Sequence, residues 1–278
     1  MKRLAFMIVS WIGTRLSHGQ RRFLLDRLGI GRVVGKLAEN EFDEVALPNG
    51  VMIAINPLLH GHVARNGKVV YEEHVLRTIE NHLAPGNVFY DVGANIGVFS
   101  FIAACKVGET GAVHAFEPEE NNLACFQRTL EWLGKGNIVL HRSAVGSADG
   151  SMIFDRRGGA FSGRLVEPGR EAHGVSITVE VRSIDSLVAA GLPAPSLIKI
   201  DVEGGEGGVL EGMRRTLKQY APIILCELHS FNPDGVRRTV DVLAESGYVC
   251  RSLDGDPISP DRSASQFPGH ILAMPIHR

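Results

Sequence analysis

The sequence predicts a doubly wound α/β fold, in which helices cover both faces of a mostly parallel sheet. From residue 88 onward, short apolar runs alternate with stretches of helical periodicity. The runs lack the polar alternation of a half-exposed strand, as expected when both faces of a sheet are covered. The seven candidate strands are Val88–Val92, Ala112–Phe116, Ile138–Leu140, Leu197–Ile200, Ile223–Cys226, Tyr248–Cys250 and Ile271–Met274.

Helices are predicted in the segments that separate most of these strands, because apolar residues recur there at helical spacing. Residues 151–182 interrupt the alternation with glycine-rich, β-prone sequence. We therefore expect an inserted pair or trio of strands near the active-site edge of the sheet. The predicted helices are Gly97–Lys106, Glu119–Leu133, Gly205–Tyr220 and Pro233–Ser246.

Residues 1–85 form a predicted accessory region of helices and a β-hairpin, and residues 86–278 form the predicted ligand-binding domain. Within the accessory region, residues 44–56 predict a hairpin whose turn is Pro48-Asn49-Gly50. The following segment, 71–83, has apolar residues on one helical face and ends before Pro85-Gly86, which is typical of a helix with a sharp stop.

The apolar run Leu4–Ile12 follows two basic residues and superficially resembles a signal peptide. It is short for a membrane span, and no small-residue cleavage site follows it. We expect an amphipathic helix that packs on the body of the protein. Peripheral contact with a membrane and a cleaved signal are the alternatives.

The overall charge and the cysteines restrict the classes of function. A formal net charge of −2 gives no electrostatic reason to expect nucleic acid as a partner. The four cysteines are far apart, so they form neither a sequence-local zinc site nor a disulfide framework. Three of them, Cys105, Cys125 and Cys226, lie in apolar stretches, which suits buried thiols in a reducing compartment. We expect a cytoplasmic protein. The sequence carries no signal for a particular oligomeric state.

Polar residues follow five of the predicted strands at the same point, where each strand ends. Ligands of open α/β sheets bind beyond the carboxyl ends of the strands. Five such ends in the same phase indicate a binding site. The segments are Asp91–Gly97, Glu117-Pro118, Ser143-Ala144, Asp201–Gly204 and Glu227–His229.

The loop after the first strand is the most specific part of this pattern. Gly93 and Gly97 allow a sharp turn and the close approach of a ligand, and the helix that starts at Gly97 offers free N–H groups to a carboxylate. Asp91 can pair with an amino group, and Glu117 can accept both hydroxyls of a ribose. An amino-acid end beside one strand and a ribose beside the next describe S-adenosylmethionine. A dinucleotide fits less well, because Asn95 stands where the second glycine of its loop is needed.

Six segments together resemble the FkbM-type methyltransferases. The similarity runs from about residue 71 to residue 230, and the pairing of DVGANIG with KIDVEG-x-E is specific to that family. The segments are FYDVGANIGVFS (89–100), AFEPEENN (115–122), SAVGS (143–147), RSIDSLV (182–188), LIKIDVEGGEGGVLEGM (197–213) and PIILCELH (222–229).

This resemblance implies a class I methyltransferase sheet of seven strands and O-methylation that depends on S-adenosylmethionine. The acceptors that it implies are sugars, glycolipids and macrolide-type natural products. The chain departs from the family pattern at Gly207-Gly208, where larger residues are usual, and two glycines weaken a helix start by about 1 kcal/mol each. The cofactor-binding role falls on Asp91, Gly93, Asn95, Gly97, Glu117, Pro118, Ser143 and Ala144.

The candidate catalytic residues are Lys199, Asp201, Glu203 and Glu206, after and within the fourth strand. Lys199 and Asp201 share one face of that strand, and a buried lysine needs an anionic partner, which Asp201 or Glu227 can supply. Methyl transfer from a sulfonium mainly requires positioning, and a carboxylate or a histidine then accepts the hydroxyl proton. Carboxylates also bind Mg²⁺, so metal assistance is an open alternative, although no metal ligand is assigned.

Purely structural roles are the alternatives to these catalytic assignments. Lys199 and Asp201 can form a purely structural ion pair, while Glu203 and Glu206 can simply complement a helix N-terminus. Among other functions, an N-methyltransferase is disfavoured because Asp201–Gly204 replaces an Asn-Pro-Pro-Tyr-type sequence. A non-catalytic scaffold is disfavoured because the acidic edge is retained.

Overall fold

The fold is described from a computed structural model of the chain. The structure describes residues 41–60, 63–65, 67–69, 71–134, 136–156, 163–166, 176–258 and 266–276. The predicted helix at Leu4–Ile12 lies outside these residues. The chain divides into two compact units, one of Met1–Tyr71 with Glu119–Lys135 and one of Glu72–Pro118 with Gly136–Arg278. The domain boundary that we place between residues 85 and 86 stays a prediction.

The described elements follow the predicted order closely. The helices are α1 (Pro57–His60), α2 (Glu73–His82), α3 (Val98–Val107), α4 (Glu120–Leu133), α5 (Ile184–Ala189), α6 (Glu206–Glu211), α7 (Arg214–Tyr220) and α8 (Pro233–Glu245). The strands are β1 (Asp43–Ala46), β2 (Met52–Ile55), β3 (Ala64–Arg65), β4 (Lys68–Val69), β5 (Val88–Val92), β6 (Ala112–Phe116), β7 (Ile138–His141), β8 (Ala144–Val145), β9 (Gly150–Asp155), β10 (Arg164–Leu165), β11 (Ser176–Arg182), β12 (Leu197–Ile200), β13 (Ile223–Glu227), β14 (Tyr248–Arg251) and β15 (His270–Pro275).

The first unit combines a small sheet with helix α4. Strands β1 and β2 form the predicted antiparallel hairpin, and the sheet order is β2-β1-β4-β3. Helix α4 is tied to the hairpin because the backbone N–H of Ala54 donates to the Thr129 hydroxyl over 2.8 Å. The Glu119 carboxylate caps the helix by accepting from the N–H groups of Asn121 and Asn122.

The second unit is built on a sheet of seven strands in the order β14-β15-β13-β12-β5-β6-β7. Only β15 runs antiparallel to its neighbours, and the other strands are parallel to one another. This confirms the predicted α/β class and all seven predicted strands. Strand β12 lies between β13 and β5, so the residues at its carboxyl end are central to the sheet.

A four-stranded sheet with the order β10-β9-β11-β8 belongs to the same unit. The insertion supplies three strands to it, β9, β10 and β11, and β8 follows the carboxyl end of β7 in the chain. Strands β9 and β11 are antiparallel, whereas β8 pairs with β11 in parallel. The insertion is thereby attached to the carboxyl edge of the seven-stranded sheet through β8.

The predicted helix Gly205–Tyr220 is in fact two helices, α6 and α7, which meet at Gly212 and Met213. The Asp185 carboxylate causes the break, because it accepts from the backbone N–H groups of Arg215 and Thr216 and so caps a new helix. A side chain at Gly212 would also collide with the Gly146 carbonyl oxygen, 2.1 Å from its Cβ.

Gly207 has a packing role that the helix propensity scale does not capture. A Cβ atom at this position would lie 2.9 Å from the Arg238 side chain on α8, so glycine allows α6 and α8 to pack closely. Helix α6 forms from Glu206 despite its two glycines, because this tertiary contact offsets their weak helix propensity.

One expectation about the cysteines is wrong. Cys125 and Cys226 are buried as predicted, but Cys105 is exposed. It shares the outward side of the last turn of α3 with Lys106, although the rest of that helix is largely apolar. All four cysteines are free thiols. Within the described residues, no helix is both long enough and apolar enough to span a bilayer.

Replacing Asp185 with alanine is expected to destabilise the second unit. The substitution removes a carboxylate that accepts four hydrogen bonds, from the backbone N–H groups of Arg215 and Thr216, from the Thr216 hydroxyl and, over 3.5 Å, from the Arg215 guanidinium. Loss of such a cap costs about 1–2 kcal/mol in the free energy of unfolding, measured by urea denaturation. The exposed Asp241, paired with Arg237 on the same helix, is the control, and its alanine variant should lose at most about 0.5 kcal/mol. Equal losses in the two variants would contradict the capping role.

Candidate active site

The carboxyl ends of β5, β6, β12 and β13 lie at one edge of the sheet, because these strands are parallel neighbours. Strand β15 runs in the opposite direction, so its first residue lies at the same edge. The edge therefore gathers the predicted site residues of the second unit. Its ionisable side chains are Glu72, Asp91, Glu117, Lys199, Asp201, Glu203, Glu206, Glu227, His229 and His270.

The loop between β5 and α3 is held in a shape that demands its glycines. Gly93 has a φ of 81°, and a Cβ there would lie 1.9 Å from the Asp201 carbonyl oxygen. Gly97, with a φ of 91°, directly precedes α3. Asn95 also has a left-handed φ of 54°, and its side-chain oxygen accepts from the Ile96 N–H, as asparagine does in such turns. The loop thus lies against the end of β12.

Glu117 is buried at the end of β6, with 4% of its surface exposed. Its Oε2 atom accepts from the Asn95 N–H over 2.8 Å, which joins the ends of β5 and β6. A carboxylate has two oxygens and about four acceptor positions. Glu117 is therefore chemically suited to accept hydrogen bonds from a pair of ligand hydroxyls.

Asp91 is 1% exposed at the end of β5. Its Oδ2 atom accepts from the Ser100 hydroxyl over 2.6 Å, while Oδ1 has no hydrogen-bond partner among the described residues. Burial raises the pKa of Asp91, and the charge of Lys199 and the bond from Ser100 act against that rise. A buried acceptor without a donor is costly, so Oδ1 fits a ligand that brings an N–H group.

The remaining predicted cofactor residues lie farther along the same edge. Pro118 directly follows Glu117, and Ser143 is buried after β7. Ala144 is buried in β8, where it pairs with Val181 of the insertion. The structure thus places them beside the ends of β6 and β7, and their contact with a cofactor stays a prediction.

Lys199 is a buried ammonium in the centre of the sheet, only 4% exposed. Its Nζ atom donates to Asp201 Oδ2 over 3.1 Å and lies 5.2 Å from the centre of the Phe99 ring. Burial alone would lower the pKa of Lys199, but the carboxylates of Asp201 and Asp91 raise it above its ordinary value. The lysine therefore stays charged.

Asp201 is the direct partner of this lysine. Burial alone would raise the pKa of Asp201, but the ammonium of Lys199 lowers it. The carboxylate is therefore ionised and already neutralised by its partner, which makes it a weak proton acceptor. Its side chain is 28% exposed, so one side still faces the edge of the sheet.

Glu206 is buried and shapes the loop in front of it. Its Oε1 atom accepts from the N–H groups of Val202 and Gly204 and lies 3.1 Å from His229 Nδ1. These contacts hold Glu203 in a left-handed conformation with a φ of 56°, which is strained for a glutamate. Glu206 is thus placed as a positioning residue, behind the residues that face a ligand.

Glu203 and His229 form the pair with the most unusual ionisation. Burial raises the pKa of Glu203 to about 7, against the opposing charge of His229 and with the repulsion of Asp201, Glu227 and Glu206. Burial alone would lower the pKa of His229, but Glu206 and the other carboxylates raise it to about 9. His229 Nε2 lies 3.6 Å from Glu203 Oε2. Near neutral pH, His229 is therefore charged, and Glu203 is present in both its protonated and its ionised forms.

Two residues of the edge were missed in the sequence. His270, at the start of β15, lies 3.0 Å from Glu72 and 3.5 Å from Glu227. Burial alone would lower the pKa of His270, but these two carboxylates raise it to about 9. Glu72 precedes α2 and lies in no recognised motif, so only the fold brings it here.

Two groups of side chains at the edge have the composition of a metal site. Ligand atoms of Asp201, Glu203 and His229 lie within 4.8 Å of one another, and so do those of Glu72, Glu227 and His270. A protonated imidazole has no lone pair for a metal. The raised pKa values of His229 and His270 therefore oppose metal binding near neutral pH.

Comparison with known families gives a match over much of the chain. The family model of the methyltransferase FkbM domain matches residues 91–250. These residues include the carboxyl ends of β5, β6, β12 and β13. That range is more than half of the chain.

Two curated relatives are similar to this chain in sequence. The hexuronic acid methyltransferase AglP of Haloferax volcanii is 31% identical over 166 residues, which cover 57% of this chain and 63% of AglP. The 31-O-demethyl-FK506 methyltransferase FkbM of Streptomyces tacrolimicus is 28% identical over 265 residues, which cover 78% of this chain and 92% of that protein. The chain therefore spans slightly less than two thirds of AglP.

Among solved structures, a methyltransferase FkbM from Methylobacillus flagellatus has a TM-score of 0.45 and 18% identity, over 72% of this chain and 58% of that one. An O-methyltransferase from Thermotoga maritima that depends on S-adenosylmethionine has a TM-score of 0.44 and 14% identity, over 85% and 78% of the two chains.

Replacing Glu117 with alanine should weaken binding of S-adenosylhomocysteine by about ten- to a hundredfold. The variant removes a buried carboxylate, and charge-assisted hydrogen bonds are worth about 1.5–3 kcal/mol. Isothermal titration calorimetry measures the affinity, with the exposed Glu120 mutated to alanine as the control. Unchanged affinity in the Glu117 variant would remove this residue from the cofactor site.

Proposed function

The chain belongs to the FkbM family of methyltransferases, and on that premise we propose that it methylates a hydroxyl oxygen with S-adenosylmethionine as the donor. The proposed acceptor is a sugar, a glycolipid or a natural product, and not a nucleic acid. Two relatives support an oxygen-rich acceptor, since their names describe one as acting on a hexuronic acid and the other on 31-O-demethyl-FK506.

The observation that carries the proposal is the pair of buried carboxylates at neighbouring strand ends. Asp91 offers an oxygen without a donor among the described residues, and Glu117 offers a carboxylate at the end of β6. The first suits the ammonium of an amino acid, and the second suits the hydroxyls of a ribose. The N-terminus of α3, which opens after Gly97, suits the carboxylate of the same amino acid. These residues fit S-adenosylmethionine.

The chemistry that remains for the protein is positioning and proton transfer. S-adenosylmethionine, when bound, supplies a methyl group that is already activated on a positively charged sulfur. The acceptor oxygen gains the methyl group and loses its proton, which a residue of the protein must accept.

We assign this proton to Glu203. A general base is most effective when its pKa is close to the working pH, and the pKa of Glu203 is raised to about 7. His229 is charged near neutral pH and cannot accept a proton, but its charge holds the glutamate near the middle of its titration. Lys199 fixes and neutralises Asp201, and Glu206 fixes the loop.

Several finer points belong to the same proposal. The candidate non-catalytic scaffold has no need for a glutamate tuned to neutrality, and an N-methyltransferase has less need for a base. We propose a reaction without Mg²⁺, since Lys199 already neutralises Asp201 and Glu203 supplies the base. A cytoplasmic location agrees with the four free cysteines.

The rate should depend on pH through Glu203. The carboxylate form is the base, so kcat/KM is expected to rise as pH increases through about 7 and then to level off. Glu203→Gln should lower kcat by about a hundredfold or more, abolish this rise and leave the affinity for S-adenosylhomocysteine within a few-fold. The assay is transfer of a labelled methyl group to an acceptor found by screening glycans and natural products. Full turnover in the variant would refute the assignment. Activity lost on chelation and restored by Mg²⁺ would indicate metal ligands instead.

His229→Asn tests the charge that tunes the base. Asparagine can still donate toward Glu206, but it removes the positive charge beside Glu203. The pKa of Glu203 should then rise, so the rising part of the pH profile moves to higher pH. A profile that stays in place in this variant would show that another group titrates.

A further inference from the structure

A phenylalanine lies exposed beside the proposed base. Phe231 follows β13 at the carboxyl edge and is 57% exposed. Its ring centre is 5.2 Å from that of His229, whose other side faces Glu203. A single exposed apolar side chain is ordinary on a protein surface, so Phe231 is notable for its place beside the ionisable groups of the edge. Aromatic rings commonly line ligand sites.

The position of this ring is fixed by the backbone beneath it. Gly204 has a φ of 97°, and a Cβ there would lie 3.3 Å from both Phe231 Cε2 and the Asn232 side chain. Asn232 donates to the Gly204 carbonyl over 2.7 Å and accepts from the Gly235 N–H at the start of α8. The loop that contains Glu203 and the segment that contains Phe231 are thus held together.

The insertion contributes a cation to the same place. Arg164, in β10, has its guanidinium carbon 5.6 Å from the centre of the Phe231 ring. An arginine guanidinium carries its N–H groups in one plane, and their arrangement matches the two oxygens of a carboxylate. Among the described residues, Arg164 has no ion pair, unlike Arg182 on strand β11 of the same sheet.

We propose that Phe231 and Arg164 form the acceptor site and that the acceptor is a sugar ring carrying a carboxylate. This inference rests on the proposed function and adds the class of substrate. The C–H face of the sugar ring packs on Phe231, and the carboxylate pairs with Arg164. A hydroxyl of the same ring is then directed toward Glu203.

The charges of the edge explain why an arginine is needed. Asp201, Glu203 and Glu227 repel an anion, so an acidic sugar binds only if its carboxylate has a cation of its own. The other cations of the described edge, Lys199, His229 and His270, are already paired with carboxylates. Arg164 lies on the insertion instead, and it is available for the ligand.

Saturation-transfer NMR titrations of methyl β-D-glucuronide and methyl β-D-glucoside test the proposal on the full chain saturated with S-adenosylhomocysteine. The two probes differ only at the carboxylate. Wild-type protein should bind the glucuronide about tenfold more tightly or better, as expected for charge-assisted hydrogen bonds. Arg164→Gln should remove this preference and leave glucoside binding within about twofold. Phe231→Ala should weaken both probes.

Arg128→Gln is the matched control, because Arg128 also lies over an aromatic ring, that of Trp132, and belongs to the other unit. It should leave both affinities unchanged. The inference is overturned if neither probe binds, if wild-type protein does not prefer the glucuronide, or if Arg164→Gln keeps the preference. Binding is measured without turnover, so the two proposals fail separately. Arg164-dependent binding without any methyl transfer refutes only the proposed reaction, and methyl transfer that is indifferent to Arg164 refutes only this site.

Discussion

The buried ammonium of Lys199 is the constraint on which the carboxyl edge of the sheet depends. It lies in β12, between β13 and β5, where a residue with one charge and no partner would cost several kcal/mol. Asp201 neutralises it directly, and Asp91 and Glu227 add their charges. The lysine in turn allows acidic side chains to be gathered at one edge without unfolding it. Asp91, the proposed partner of the cofactor, and the loop that contains the proposed base are thereby coupled through one cation.

This charge balance divides the carboxylates into different roles. Asp201, beside the ammonium, is ionised and serves as its partner. Glu206 is buried and bonded to its own loop, so it sets the backbone of Glu203. Burial raises the pKa of Glu203 to about 7, with the charge of His229 acting against the rise and the neighbouring carboxylates adding to it. Three carboxylates of one short segment thus have different roles: Asp201 neutralises the lysine, Glu206 holds the loop, and Glu203 is the candidate base.

Much of this arrangement could be predicted from the sequence. The seven strands followed from apolar runs, and alternation along one strand placed Lys199 and Asp201 on the same face. The sequence left the partner of Lys199 open between Asp201 and Glu227, and the structure gives Asp201. The break between α6 and α7 could not be foreseen, because the Asp185 cap is about thirty residues away in the chain. The same reason hid Glu72, Arg164 and Phe231. Their roles arise from contacts between distant segments, and no local pattern records such contacts.

The most direct test of the account is the ionisation of Glu203 itself. Carbon-13 NMR of protein labelled at the glutamate side-chain carboxyl groups follows each carboxyl through a pH titration. The account predicts one signal with a midpoint near 7 that is absent from the Glu203→Gln variant and present in Glu120→Gln. If every glutamate signal titrates below a pH of about 5.5, in the ordinary range for exposed carboxyls, the edge holds no tuned base and the central claim is wrong.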